Sequence, residues 1–318
     1  MRSPLWRAVP WALGLAVIGF AGWQVATNWA TVRAARVELA FEPWPLLGAL
    51  GCVWLGFAAL MFAWRATVRA AGGTLSLRGA AHIWLVSSLG KYLPGKVWAI
   101  AGLMVMARER GVSGSAAAAA AIFQQLVSIG AGAVLVFLAG REQLVDLLPG
   151  GRVAFVVLLI GAVVALGMPL SSRVMGFVGA ALERIGTSGV GAREGSAPLV
   201  LPVSVLLTSV VANAVAWSAY AVAVMLLAHG LLPGLAGELS FARALGGFTA
   251  AYIAGVLAVL APGGLGVREG LLVLLLAPAI GEGGAVVLAL ATRVLFTLAE
   301  FGAAAPLVLA AKEKPRVV

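Results

Sequence analysis

The sequence predicts an all-α integral membrane protein, a polytopic helical bundle. Hydrophobic residues make up 62% of its 318 residues and charged residues only 11%, and the mean hydropathy is +1.05. Soluble domains are near half apolar and a quarter charged. The apolar residues form uninterrupted runs of about 18 to 25, long enough to cross roughly 30 Å of hydrocarbon. Alternating β-barrel patterning is absent, so we expect spanning helices, which satisfy their own backbone groups in lipid.

Six apolar runs are long enough to be full spans. Arg2 and Arg7 precede the first run, as in a signal peptide. That run is long for a signal peptide and lacks a small-residue cleavage site, so we interpret it as a retained span. The predicted spans are 11–29, 45–64, 116–139, 153–170, 199–228 and 285–310.

Two further segments are interrupted by proline and glycine clusters, which end helices. The first, Gly79–Arg108, contains Lys91-Tyr-Leu-Pro-Gly-Lys96. The second, Phe241–Ile280, contains Ala261-Pro-Gly-Gly-Leu-Gly-Val-Arg-Glu-Gly270. The two breaks occupy matching places, each after a pair of spans and before another. Such interrupted segments in two similar halves indicate a transporter-like binding site at the repeat interface.

The chain therefore reads as one transmembrane domain over 1–318, with repeat 1 at about 8–140, repeat 2 at about 150–311 and a basic tail, 312–318. If both broken segments re-enter and the termini are cytoplasmic, 13 Lys and Arg residues lie on the cytoplasmic side and 5 on the outer side. If both segments cross instead, the counts are 11 on the cytoplasmic side and 7 on the outer side. The positive-inside rule favours re-entry. Each half then has three crossings, so we predict two inverted repeats with re-entrant broken helices, in the inner (cytoplasmic) membrane. The leg 241–260 is nevertheless long enough to cross alone.

The remaining composition narrows the functional classes. The net charge is +10, and the positive residues lie between the spans rather than in blocks interleaved with aromatic residues. This placement is typical of residues that set membrane topology and contact anionic headgroups, and it argues against nucleic-acid binding. Cys52 is the one cysteine, and His82 and His229 are far apart, so we expect no metal site. Asp146 is the one aspartate, which excludes aspartate-rich metal–pyrophosphate motifs. We expect no cofactor and no catalytic residue.

The first break is a candidate phosphate site. Lys91 and Lys96 flank it, and a helix is predicted to start near Val97. Exposed N–H groups at a helix N-terminus, together with lysines, bind phosphate. The alternative is that both lysines extend to the headgroup interface. The turn also contains Tyr92, Pro94 and Gly95.

The second break repeats this pattern. Gly263, Gly264 and Gly266, which follow Pro262, permit close backbone approach. Arg268 and Glu269 then lie in the first turn of the next leg, where Glu269 suits a helix N-terminus and Arg268 suits a phosphate. The alternative is a tight turn with a local ion pair.

Arg293 and Glu300 lie seven residues apart in the last span, on one helical face. Charges inside a span need partners, and Arg268 and Glu269 are the natural ones, giving a crossed charge network. A purely structural pair is the alternative. In the third span, Gln124 is placed to hydrogen-bond either a lipid headgroup or a neighbouring helix.

Two motifs carry a family resemblance. Ser87-Ser-Leu-Gly-Lys-Tyr-Leu-Pro-Gly-Lys-Val-Trp98, with Arg108–Ser113, resembles the first signature of the flippase-like family related to the transmembrane region of lysylphosphatidylglycerol synthase. Pro262–Glu269 resembles its second signature, and the resemblance covers about 10–310. It implies a multi-span bundle with two re-entrant elements that moves a lipid between leaflets. The headgroup path it implies is lined by Lys91, Pro94, Gly95, Lys96, Pro262, Gly263, Gly264, Gly266, Arg268 and Glu269.

Two features depart from that family. No soluble aminoacyl-transferase domain follows residue 310, so we expect no synthesis of aminoacyl lipids. Phe123-Gln-Gln-Leu126 stands where many relatives carry acidic and arginine residues, which argues against lysylphosphatidylglycerol itself as the cargo.

The predicted function is a membrane lipid translocase rather than an enzyme. Its cargo is an anionic phospholipid or a polyprenyl-phosphate-linked lipid, whose headgroup passes between the two loops. Gly95-Lys96 lacks the rest of a P-loop, so movement is passive, gradient-driven or driven by downstream consumption. One alternative is a polyprenyl-phosphate-dependent glycosyltransferase that uses Glu38 or Glu42. Another alternative is an accessory subunit of a cell-envelope assembly. The protein partners that we expect are a second copy of this chain or a cell-envelope enzyme.

Overall fold

The computed structural model describes residues 38–92, 97–140, 201–258 and 261–312, together with Gly19, Trp23 and Ala26. The predicted span 153–170 and nearly all of 11–29 lie outside the described residues. All regular structure in the described part is helical. The helices are α1 (Pro43–Ala70), α2 (Leu77–Ser88), α3 (Val97–Arg108), α4 (Gly114–Ala139), α5 (Val203–Leu231), α6 (Pro233–Ala236), α7 (Phe241–Leu257) and α8 (Val267–Lys312), with 3-10 turns at Leu89–Tyr92 and Pro262–Gly264.

Four of these helices, α1, α4, α5 and α8, are long and apolar enough to cross a membrane. At 1.5 Å per residue, the 28 residues of α1 extend about 42 Å, more than the roughly 30 Å of hydrocarbon. Helix α8 is interrupted at Gly281, where φ is 71° and ψ is 162°. It therefore comprises a first leg, 267–280, and a second leg, 282–312, which corresponds to the predicted span 285–310. The prediction of a polytopic helical membrane protein is confirmed.

Local sequence sets where the helices begin. Ser76, Ser113 and Ser240 precede α2, α4 and α7, and each hydroxyl accepts a hydrogen bond from a backbone N–H of the first turn. Such caps satisfy donors that the helix itself leaves unpaired. Helix α1 begins at Pro43, which has no N–H to satisfy.

Helices α2 and α3 form an antiparallel hairpin, here called the first hairpin. Each has 12 residues and extends about 18 Å, too short to cross the hydrocarbon alone. A methyl group added at Gly90, in the turn, would lie 2.6 Å from the backbone nitrogen of Ala99 in α3. One added at Gly79, at the start of α2, would lie 3.5 Å from Cδ of Arg110, just past the end of α3. The hairpin therefore begins and ends at the same end of the bundle.

Helix α7 and the first leg of α8 form a second hairpin. Near its tip, a methyl group added at Gly264 would lie only 2.8 Å from Cα of Gly255. At its base, one added at Gly284 would lie 3.0 Å from Cδ1 of Leu235, shortly before α7. The chain thus doubles back on itself here as well.

The two hairpins start from opposite ends of the bundle. Helices α1 and α5 run antiparallel. Just before the start of α1, the Ala40 N–H donates to the carbonyl of Leu231, the last residue of α5. Near the opposite ends of the two helices, Gln124 bonds both Thr67 of α1 and Ser209 of α5. The first hairpin follows the end of α1 and the second follows the end of α5. Their tips meet, with Cα atoms of the two 3-10 turns within 8 Å of each other.

An aromatic core packs at mid-height beside the tips. The Phe296 ring lies 6.3 Å from that of Phe57, 5.0 Å from Tyr220 and 5.2 Å from Phe248. Trp217 packs edge-on against Tyr220 at 5.9 Å. These rings join α1, α5, α7 and α8 and fix the position of the second leg of α8, which carries Arg293 and Glu300.

Candidate functional site

Charged side chains gather where the two hairpin tips meet. All four charged residues of α8 in this group are less than a tenth exposed, at 7% for Arg268, 9% for Glu269, 8% for Arg293 and 6% for Glu300. Buried charges in a membrane protein are costly and commonly mark functional sites. The central charge cluster comprises Lys91, Arg268, Glu269, Arg293 and Glu300.

The central charge cluster lies at mid-height in the bundle. The indole N–H of Trp54 donates to the carbonyl of Ala299 at 3.1 Å, which places Glu300 level with the middle of α1. The Phe57–Phe296 contact fixes the same level from the neighbouring turn. The charges are therefore far from both ends of the spanning helices.

The tip of the first hairpin is anchored to Glu300. Lys91 Nζ forms an ion pair with Glu300 Oε1. The Tyr92 hydroxyl lies 2.7 Å from Glu300 Oε2, to which it donates, and 3.3 Å from Thr297 Oγ1. The Tyr92 ring also stacks on Phe301, with centroids 5.8 Å apart. Both oxygens of the carboxylate are thus occupied by residues of the first turn.

The tip of the second hairpin is anchored to Arg293. Its Nη1 donates to the Gly263 carbonyl at 2.9 Å and lies 3.4 Å from Glu269 Oε1. The other carboxylate oxygen of Glu269 accepts the Gly266 N–H at 2.8 Å. Glu269 therefore caps the N-terminus of α8, as predicted, where a negative charge is favourable.

Arg268 is held differently, in an aromatic cage of Phe248, Tyr252 and Phe296. Its guanidinium carbon lies 5.0, 5.0 and 4.8 Å from the three ring centroids. Such cation–π contacts stabilise a desolvated cation. Among the described residues, no carboxylate lies within 4 Å of Arg268, and its Nη2 has no hydrogen-bond partner.

The predicted crossed network is half right. The Arg293–Glu269 contact is confirmed. The predicted pairing of Arg268 with Glu300 is wrong, because Glu300 bonds Lys91 and Tyr92 instead. The spacing of charges within α8 cannot show that the tip of the first hairpin, more than 200 residues earlier in the sequence, supplies the partners of Glu300.

Together these contacts leave the central charge cluster with a positive excess. Its three cations face two carboxylates, and two guanidinium nitrogens, Arg268 Nη2 and Arg293 Nε, are buried without an acceptor in the described part of the chain. Buried donors without acceptors are unfavourable, and oxyanions are the ligands that guanidinium groups bind best. The arrangement is suited to an anion.

The remaining residues predicted for the site lie partly at the second hairpin tip, partly away from the central charge cluster and partly outside the described residues. Pro94, Gly95 and Lys96 lie outside the described residues. Gln124 lies away from the cluster, since its Nε2 donates to Thr67 Oγ1 at 3.0 Å and to Ser209 Oγ at 2.7 Å. Gly263, Gly264 and Gly266 form the second tip with Pro262, and Glu38 and Glu42 are exposed beside the start of α1.

The aromatic cage was missed from the sequence, although a signal existed. Phe248 and Tyr252 lie four residues apart and share a face of α7. Phe296 and Thr297 lie on the face of α8 that carries Arg293 and Glu300. A search of that face for aromatic side chains would have found Phe296, but its contact with α7 required the tertiary structure.

The comparisons with known proteins identify the family of the chain. No curated protein matches the chain. The sequence does match the family model described as the lysylphosphatidylglycerol synthase TM region, over residues 9–299. That span includes both hairpins and almost the whole central charge cluster. The chain therefore belongs to the family of the lysylphosphatidylglycerol synthase TM region, whose members are membrane proteins related to lipid handling.

Proposed function

We propose that the protein is a lipid translocase that moves an anionic phospholipid or a polyprenyl-phosphate-linked lipid between leaflets. The two hairpins act as re-entrant elements of two inverted repeats, and the lipid phosphate binds where their tips meet. The observation that carries the proposal is Arg268, a buried cation at mid-height with no carboxylate partner among the described residues.

The cost of burying this charge supports an anionic ligand. An isolated charge in an apolar environment is strongly unfavourable unless it is paired and hydrogen-bonded. The aromatic cage offsets part of that cost, but rings cannot accept the in-plane N–H bonds of a guanidinium. A phosphate oxygen beside Arg268 Nη2 would complete its coordination, as in other arginine–phosphate contacts.

Lys91 supports a route to this site. Its side chain is 34% exposed, whereas that of its partner Glu300 is 7% exposed. Lys91 is therefore the cation of the cluster that an approaching headgroup meets first, and Lys96 follows five residues later in the sequence. The acyl or prenyl chains remain in the hydrocarbon while the headgroup passes the tips, so no large polar cavity is required.

The distribution of arginine supports an orientation. The end of the bundle at the base of the first hairpin is rich in arginine, which by the positive-inside rule is the cytoplasmic end. The second hairpin then enters from the opposite face. The arginines at this end are Arg65, Arg69, Arg78, Arg108 and Arg110.

The test is lipid movement in reconstituted liposomes. We expect the wild-type protein to move a headgroup-labelled anionic lipid faster than a zwitterionic one. Arg268→Met keeps an apolar side chain within the cage but removes the charge, and we expect at least a roughly tenfold loss of anionic-lipid movement, in line with about 1.5–3 kcal/mol for a charged hydrogen bond. Arg69→Met, at an exposed position, is the matched control and should leave the rate unchanged. Equal rates for Arg268→Met and wild type would refute the proposed site.

A further inference from the structure

A second polar cluster lies between α1, α4 and α5, apart from the central charge cluster. Its four side chains are all at least nine-tenths buried: Thr67 at 0%, Gln124 at 9%, Ser209 at 0% and Asn213 at 0% exposed. Two of its atoms, Gln124 Oε1 and Asn213 Oδ1, are buried hydrogen-bond acceptors without a partner among the residues that the structure describes. Unpaired buried polar atoms are rare and indicate a missing water, ion or ligand.

Both amides are fixed by bonds to Ser209. Gln124 donates from Nε2 to the Ser209 hydroxyl at 2.7 Å, and Asn213 donates from Nδ2 to the Ser209 carbonyl at 2.8 Å. A second bond from Gln124 to Thr67 Oγ1, at 3.0 Å, uses its other N–H. The two unpaired oxygens therefore belong to side chains that both bond Ser209 through their nitrogens.

The neighbouring hydroxyls do not satisfy these oxygens. Thr67 Oγ1 donates to the Ala63 carbonyl at 3.0 Å, and Ser209 Oγ donates to the Val205 carbonyl at 2.7 Å. The cluster has an excess of acceptors that the described residues do not balance.

The geometry points to a site for a small monovalent cation of the Na⁺ type, bound by Gln124 Oε1, Asn213 Oδ1 and the oxygen of Ser209. Neutral amide and carbonyl oxygens bind alkali cations, whereas calcium and magnesium sites recruit carboxylates. No carboxylate takes part in the hydrogen bonds of this cluster among the described residues. This inference does not depend on the proposed lipid movement, and it assigns Gln124 to a cation rather than to a headgroup.

The test is the thermal stability of the purified full chain in detergent, with NaCl compared to choline chloride at equal ionic strength. A ligand at ten times its dissociation constant stabilises the folded state, and we expect a rise of about 2–4 °C in the unfolding midpoint. Gln124→Leu should abolish the Na⁺ response. Gln125→Leu, the exposed neighbour, is the matched control and should keep it.

A second variant keeps the test decisive if Gln124→Leu does not fold. Gln124→Glu retains the shape and adds a negative charge, so its Na⁺ response should appear at lower Na⁺ concentrations than that of the wild type. Direct binding of radioactive ²²Na⁺ to the wild-type protein should be saturable. Identical midpoints in NaCl and choline chloride for wild type, or an unchanged response in Gln124→Glu, would overturn the inference and leave water as the occupant of the two acceptors.

Discussion

At the scale of single residues, Glu300 is the acceptor that a lipid phosphate would have to displace from Lys91 in the proposed site. Its two oxygens bond Lys91 and Tyr92, the two residues of the first tip that face α8. A phosphate that binds Lys91 must therefore compete with an internal carboxylate. Such competition weakens binding of the ligand but keeps the lysine paired when no ligand is present, which lowers the cost of holding it within the bundle.

The variant Glu300→Gln tests this competition. Glutamine keeps an acceptor for Tyr92 but releases Lys91, so we expect the affinity for an anionic lipid to increase about tenfold, equivalent to about 1.4 kcal/mol. Binding of a fluorescent anionic lipid to the purified protein measures the change. Glu282→Gln, at an exposed position, is the control. Weaker binding in Glu300→Gln would show that Glu300 positions Lys91 instead of competing for it.

At the scale of elements, the second hairpin depends on glycines that allow its two legs to approach closely. Gly264 and Gly266 both have positive φ, at 71° and 81°, where a side chain is strained. They differ in the space around them. A methyl group added at Gly264 would lie 2.8 Å from Gly255 Cα, whereas one added at Gly266 would have no atom of the described residues within 4 Å apart from its immediate chain neighbours. A side chain at Gly266 would therefore cause backbone strain alone, whereas one at Gly264 would cause both backbone strain and a steric clash between the two legs.

This difference predicts unequal effects of alanine. Gly266→Ala should cost about 1–2 kcal/mol, from backbone strain alone. Gly264→Ala should cost more, by about a further 1–3 kcal/mol, because backbone atoms of α7 must shift to admit the methyl group. Thermal unfolding of the two variants side by side measures the difference. Equal midpoints would contradict the close approach of the legs at Gly264.

At the scale of the whole molecule, the hairpins enter from opposite ends because α1 and α5 are antiparallel and each hairpin follows the end of one of them. This arrangement brings two turns that are distant in sequence to the same mid-height position. Each tip is anchored to the second leg of α8, through Glu300 for the first tip and Arg293 for the second. The last helix is thus the common support of both tips.

The opposite entry of the hairpins predicts labelling from opposite sides of the membrane. Because Cys52 is the one cysteine of the sequence, Cys52→Ser gives a cysteine-free background. Glu109→Cys, near the base of the first hairpin, should react with a membrane-impermeant maleimide in inside-out vesicles. Glu238→Cys, just before the second hairpin, should react in right-side-out vesicles. Labelling of both from one side would contradict the proposed inverted arrangement.

Much of the fold was predictable from sequence because membrane burial leaves a strong local signal. The spans predicted at 45–64, 116–139 and 199–228 correspond to Pro43–Ala70, Gly114–Ala139 and Val203–Leu231. Apolar length determines these helices, whatever their neighbours are. Proline and glycine likewise set the breaks. Helix α3 begins at Val97, as predicted, and α8 begins at Val267, which places Arg268 and Glu269 in its first turn, as predicted.

The sequence by itself determined that this chain spans a membrane, where its helices break and which charged residues lie within the apolar segments. These three properties follow from local composition. Only the tertiary structure decided which charges pair. Lys91 reaches Glu300 across 209 positions, and Arg268 enters the aromatic cage of Phe248, Tyr252 and Phe296 instead of meeting a carboxylate. Partners of this kind depend on how distant helices pack at one level, and helical periodicity within a segment carries no information about that packing.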